Sequence, residues 1–217
     1  YVYRNFVDMR EEINWKRPSR RFPRGDLRTV QPFVMHGHAL LGVESIFWYQ
    51  NTLLCRSRRY AGALAIRNAA DASRYVLNNL FVYLEGYPEN ELENTHAGSN
   101  IQLDGNLHWC PLPEVEAPAD YLDSLRTAPR SEIARRAYPH AWETHGIVAD
   151  PLLQDFSLDP DQPVDVRLQE KSPARAAGAE LPEFLPDPLR AENARPDIGA
   201  IPFGSAPLRV GRFEQLQ

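Results

Sequence analysis

Apolar and polar positions in this chain recur as one phrase. Strand-forming residues run into an asparagine and then directly into a second apolar run: Ile46 to Gln50 before Asn51 and Thr52 to Cys55 after it, Arg74 to Asn78 before Asn79 and Leu80 to Tyr83 after it, Ile101 to Gly105 before Asn106 and Leu107 to Cys110 after it. Tyr1 to Arg4, Asn5 and Phe6-Val7 open the chain in the same way. From 51 to 79 is 28 residues and from 79 to 106 is 27, whereas from 5 to 51 is 46, which fits two repeats or one repeat with a long inserted loop. A period in the twenties carried by β-forming residues marks a stack of repeats.

The asparagines have a physical role at the corners of such a stack. A chain that turns sharply between two strands needs a residue that tolerates left-handed backbone angles, and asparagine is the usual choice after glycine. Stacked at the parallel-strand spacing of about 4.8 Å, the amides of Asn5, Asn51, Asn79 and Asn106 can hydrogen-bond from repeat to repeat. The alternative is four unrelated turns, which leaves the apolar flanks unexplained.

Other positions follow from the same alignment. Tyr3 and Tyr49 each stand two residues before an asparagine, where an aromatic column within the stack is the expectation and an outward sugar platform the alternative. Cys55 and Cys110 each stand four residues after one, with Tyr83 between them, so two repeat spacings of roughly 9–10 Å separate the thiols, too far for a disulfide. Two free thiols are expected. Asp104 and His108 flank Asn106 across a corner, where their side chains point apart, so no catalytic pair is assigned to them.

Residues 10–35 interrupt the pattern with a basic and aromatic stretch that includes Trp15, Lys16, Arg17, Arg20, Arg21, Arg24 and Arg28. It reads as a long lateral loop over a rigid sheet. Arginine pairs carboxylates bidentately and a tryptophan face stacks on a sugar ring, so Trp15 and Arg17 are candidate ligands for an acidic sugar. The plainer reading is a solvated loop tied by Glu11, Glu12 and Asp26. His36 and His38, two apart on one face of a strand, are candidates for a metal or general-base role, with no third ligand evident nearby, against a plain hydrogen-bonding role. Arg56 and Arg59 follow the strand after Asn51 and are placed to line the same groove, Arg56 for binding and Arg59 for catalysis. No HExxH-like, CxxC or Cys/His metal spacing is present, and the sequence leaves cofactor and metal requirement open.

After Cys110 the character changes. Pro111 to Pro118 reads as a linker, and Ala119 to Ala137 reads as helix split at Pro129. Ile147 to Ala149, Val164 to Leu168 and Asp197 to Ile201 are short strand candidates among proline-rich turns, with a turn at Ser172-Pro173-Ala174 and with Asp150 and Asp197 as turn formers.

The asparagine phrase, followed in order by Thr144 to Leu153, Leu168 to Gly178 and Arg195 to Ala200, resembles the right-handed parallel β-helix repeat proteins, many of them secreted polysaccharide lyases and glycoside hydrolases. The resemblance covers most of the chain outside about residues 10–35 and 111–140. It implies an all-β, right-handed parallel β-helix solenoid with a short helical insertion and an irregular carboxy-terminal tail. Residues 1–110 would be rungs with the lateral loop, 111–140 the linker and helical insertion, and 141–217 the final rungs and tail of one domain. It further implies a polysaccharide partner, lyase or hydrolase chemistry with epimerisation as a third option, and a secreted or cell-envelope location. A non-catalytic glycan-binding, adhesive or structural solenoid is the alternative. Because the first residue already lies within a repeat, the chain is expected to be the carboxy-terminal piece of a longer protein whose further rungs would pack on it.

The chain has 217 residues, 43% hydrophobic content and 19 prolines. That length suits one domain with a real core. The formal charge of −5 argues against general nucleic-acid binding, and no apolar run is long enough for a transmembrane helix. Only Lys16 and Lys171 are lysines, so an all-lysine mechanism is not expected.

Overall fold

The computed structural model describes residues 1–8, 10, 45–55, 73–88, 101–136, 138–190 and 195–206. Each asparagine phrase is a pair of strands joined by a two-residue corner. The pairs are Val2–Tyr3 (β1) with Phe6–Asp8 (β2), Ser45–Tyr49 (β3) with Thr52–Cys55 (β4), Ser73–Leu77 (β5) with Leu80–Tyr83 (β6), and Ile101–Asp104 (β7) with Leu107–Trp109 (β8). First strands pair with first strands, in the parallel order β1-β3-β5-β7. Second strands form a parallel sheet in the order β2-β4-β6-β8, extended by Ile147–Val148 (β9).

The left-handed residue of each corner is the one before the asparagine: Arg4 (φ 53°), Gln50 (50°), Asn78 (56°) and Gly105 (66°). This division of labour was not expected. The residue at positive φ makes the turn, and the asparagine side chain makes the stack. Asn5 donates its backbone N–H and its amide to Asn51 Oδ1, both at 3.0 Å. Asn51 does the same to Asn79 Oδ1 (3.0 and 2.9 Å), and Asn79 to Asn106 Oδ1 (2.8 and 3.0 Å). Asn51, Asn79 and Asn106 are fully buried, so these bonds satisfy corner N–H groups that water does not reach.

The sheet of second strands is covered on both faces, which is why its strands read as unbroken apolar runs. Leu53, Phe81 and Tyr83 pack on one side with Val76, Ile101 and Leu103 of the other sheet. Leu54, Leu80, Val82 and Leu107 pack on the opposite side with Leu153, Val166, Leu168 and Ile198. Each fully buried Leu or Phe contributes roughly 1.5–3 kcal/mol. Val166 and Leu168 belong to Asp165–Leu168 (β11), which pairs antiparallel with Leu153–Asp155 (β10). The helices Tyr121–Arg126 (α1) and Pro129–Ala134 (α2) close the first core with Tyr121, Leu125, Ala128 and Ala134. Pro129 occupies the first position of α2, where its missing N–H costs nothing.

This arrangement corrects the all-β right-handed parallel β-helix expected from the sequence. The described residues form two multi-stranded parallel sheets, one of them covered on both faces in the manner of α/β sheets, with a small antiparallel pair and two short helices. No closed solenoid is present among them. The repeated phrase specifies a corner and its parallel stacking, which are local instructions, and carries none for closing the coil. Of the carboxy-terminal strand candidates, 147–149 and 164–168 hold the strands Ile147–Val148 and Asp165–Leu168, whereas 197–201 is irregular and bent.

The smaller expectations fare differently. Tyr3 and Tyr49 stack at 5.1 Å between ring centroids and 8° between planes. Cys55 and Cys110 are free and buried. The Asp150 carboxylate accepts the N–H of Leu152, and Asp197 accepts those of Ala176 and Phe203, as turn formers do.

Candidate active site

The outer face of the first sheet carries the site. Along β7, Ile101 and Leu103 turn inward to the core, while Gln102 and Asp104 line an outer cavity of about 710 Å³. In the parallel register Gln102 lies beside Tyr75 and Asp104 beside Leu77, and both of those β5 residues line the cavity too. Its other walls come from Tyr138, His140 and His145 after α2, from Ala179 to Phe184, and from Arg195.

Asp104 and His145 form its chemical centre. His145 Nδ1 lies 2.8 Å from Asp104 Oδ2, and the His145 backbone N–H donates to Oδ1 at 2.7 Å. Gly105 N–H gives the carboxylate its third bond, the second at Oδ1, at 2.8 Å. With its oxygens accepting three N–H groups, the carboxylate fixes the proton of the imidazole on Nδ1 and leaves Nε2 as the basic nitrogen. The Asp104 side chain is 2% exposed and that of His145 33%, so the anchor is buried and the base is open. His140 packs edge-on to His145 at 5.3 Å.

The segment holding His145 is fixed by its neighbours. Glu143, at φ 50°, is fully buried and takes the place of a fifth asparagine. It accepts Asn106 N–H at Oε2 (3.2 Å) and the Asn106 amide at Oε1 (2.8 Å). His108 Nε2 reaches Oε1 at 3.1 Å, and His108 Nδ1 lies 2.7 Å from the Tyr83 hydroxyl, itself 3.3 Å from that of Tyr121. His108 thus links the Tyr83 and Tyr121 hydroxyls to the Glu143 carboxylate in one buried chain of hydrogen bonds. Burial pushes both tyrosine hydroxyls well above their ordinary range.

The far wall is pinned as well. The Asn78 amide exchanges two bonds with the backbone of Ala179 (2.8 and 2.7 Å), and Arg190 donates to the carbonyls of Leu181, Pro182 and Leu185. Arg195 donates through Nε and Nη2 to Gly178 and Ala177 carbonyls, both at 3.0 Å, which holds its guanidinium at the cavity edge. Tyr75 sits edge-on to Tyr138 (5.1 Å) and to Phe184 (5.6 Å), and Phe184 is 53% exposed.

The residues assigned from sequence to catalysis (His36, His38, Arg59) and to substrate binding (Trp15, Arg17, Arg56) all lie outside the described residues. Sequence reasoning missed the Asp104–His145 pair, whose members are 41 positions apart. Its available signal was Gln102 and Asp104, polar residues alternating with Ile101 and Leu103. Asp104 and His108, as expected, point apart, one to His145 and the other to Glu143. Among the described residues no group of three or more His, Cys, Asp or Glu side chains is placed to hold a metal ion, and no helix is long and apolar enough to cross a membrane. No protein-family model, curated protein or solved structure matches the chain.

Proposed function

We propose that the chain carries a carbohydrate-processing site that cleaves an acidic polysaccharide by β-elimination, with His145 as the base. The observation that carries this reading is the buried Asp104 holding His145 on the wall of a cavity whose lining includes Tyr75, Tyr138, Phe184 and Arg195 together with Glu180 and Glu183. A base of this kind needs a basic nitrogen near neutral pH and a fixed orientation, and the aspartate supplies the second. In the step itself His145 Nε2 takes the proton on the carbon next to the uronate carboxylate. The electron pair of that C–H bond becomes the new C=C bond, the C–O bond to the leaving sugar breaks, and the departing oxygen takes a proton from solvent. Arg195 supports the reading because a guanidinium beside the carboxylate stabilises the negative charge that builds up there. The aromatic wall of Tyr75, Tyr138 and Phe184 suits the apolar face of a sugar ring. A secreted or cell-envelope location belongs with this substrate.

Glycan binding without chemistry is a second reading, favoured by the exposure of Phe184 at the cavity edge. The two are separated by incubating the protein with uronate-containing and neutral polysaccharides and following unsaturated ends alongside new reducing ends. Unsaturated ends support elimination. Reducing ends alone indicate hydrolysis, and binding without either product supports the second reading.

A further inference from the structure

Gln102 is a polar side chain where the fold has no use for one. It is 6% exposed, its Oε1 is buried, and that oxygen meets no donor among the described residues. A buried acceptor left without a donor destabilises a protein, and an apolar side chain of similar shape would avoid that loss. Its neighbours on the same sheet show that apolar side chains fit this face: Tyr75 is its register partner, and Leu77 is the partner of Asp104. Gln102 also lines the cavity that holds His145.

Gln102 and Asp104 are two residues apart on one strand, so their Cα atoms are about 6.7 Å apart, twice the strand rise. One pyranose ring bridges that distance. A sugar presenting its acidic C–H to His145, on the Asp104 side, therefore extends other ring substituents toward Gln102. We infer that Gln102 is the specificity-determining residue of this cavity, its amide hydrogen-bonding a free ring hydroxyl of the sugar whose proton His145 removes. The inference rests on the reading of the cavity as a uronate site. The atom left without a partner is the acceptor Oε1, so the sugar hydroxyl donates to it. The cavity consequently selects a uronate with an unsubstituted hydroxyl at this position. An O-acetylated or O-methylated sugar brings no donor and adds bulk against a buried wall.

The test compares Gln102→Leu with the unmodified protein in thermal unfolding and in titration with a uronate oligosaccharide, with and without O-acetylation. Gln102→Leu is expected to melt at the same temperature or higher, because the unsatisfied oxygen is gone. Its affinity for the unacetylated oligosaccharide is expected to fall about 5- to 20-fold, the loss of one buried hydrogen bond to ligand, and its preference over the acetylated form to shrink. A lower melting temperature with unchanged affinity would overturn the inference, since Gln102 would then be bonded within the protein itself. So would equal affinity of the unmodified protein for both oligosaccharides. Gln102→Glu is the second variant: it keeps the shape, and its added charge should weaken binding of the anionic sugar still further. Failure of the uronate reading looks different, because the unmodified protein would then bind neither oligosaccharide.

Discussion

Asn106 donates both its backbone N–H and its side-chain amide to the carboxylate of Glu143. The same pair of donors on Asn5, Asn51 and Asn79 goes to the next asparagine, so Glu143 ends the ladder with an acceptor that has no N–H of its own left to place. Two residues further on, the chain delivers His145 to Asp104. The stack of corners and the Asp104–His145 pair therefore meet in one short segment.

The ladder predicts a graded response to asparagine removal. Asn79→Ala strands the buried N–H of Asn51, while Asn106 Oδ1 keeps the backbone N–H of residue 79, and should cost about 2–4 kcal/mol. Asn5→Ala, at the partly exposed end where the side chain only donates, should cost no more than about 1 kcal/mol. Denaturant unfolding of the two variants measures the difference.

Glu143→Gln provides only one oxygen where Asn106 and His108 need a carboxylate, and its NH₂ then faces a donor. A loss of about 1–3 kcal/mol is expected, with a larger one for Glu143→Ala, which also frees the segment before His145. Thermal melts of the two variants rank them.

Gly105 sits at φ +66°, and a Cβ there would come within 2.4 Å of Asn78 Oδ1 and 2.5 Å of the Ala179 nitrogen. It would enter the hydrogen bond that pins the cavity wall. Gly105→Ala should therefore destabilise by about 2–3 kcal/mol, whereas substitution at Gly204, where a Cβ meets nothing within 4 Å, should carry only its backbone strain at φ +78°. Equal losses at the two positions would contradict this account.

Acid stability depends on Asp187. Burial acts to raise its carboxyl, but the two bonds from the Arg4 guanidinium at 2.9 Å outweigh it, and its pKa lies below the usual value. Its contribution is therefore full above the unfolded value of about 3.9 and is lost as pH falls through the folded one. Asp187→Asn should be less stable at neutral pH and show a shallower loss below about pH 4. An unchanged slope would remove Asp187 from the account.

Cys55 is buried, and burial pushes its thiol up to about 12. At pH 8 the folded protein should leave Cys55 unalkylated by iodoacetamide, and the unfolded protein should react fully. Mass spectrometry of labelled peptides reads both states.

What the sequence revealed and what it hid divide along physical lines. The asparagine period, the paired strands, the tyrosine column, the free thiols and the break at Pro129 all arise from neighbours in sequence or from a regular repeat, and each was legible. The corner geometry was misplaced by one residue, because Arg4 and Gln50 are poor left-handed formers and only the stacking forces them there. Closure into a solenoid was over-read from a repeat that specifies only its own corner. The Asp104–His145 pair was invisible because α1, α2 and the segment after them separate its members, and no local pattern records which histidine returns to the sheet.

The central claim is that His145, held by Asp104, removes a proton from a uronate. Its most direct measurement is the rate of unsaturated product from a uronate polymer for the unmodified protein, His145→Ala and Asp104→Asn. The amide of Asp104→Asn would shift the imidazole proton to Nε2 and silence the base. Both variants should keep a cooperative melt and lose about 10²- to 10⁴-fold in kcat. Unsaturated product formed at the unmodified rate by His145→Ala would contradict the account.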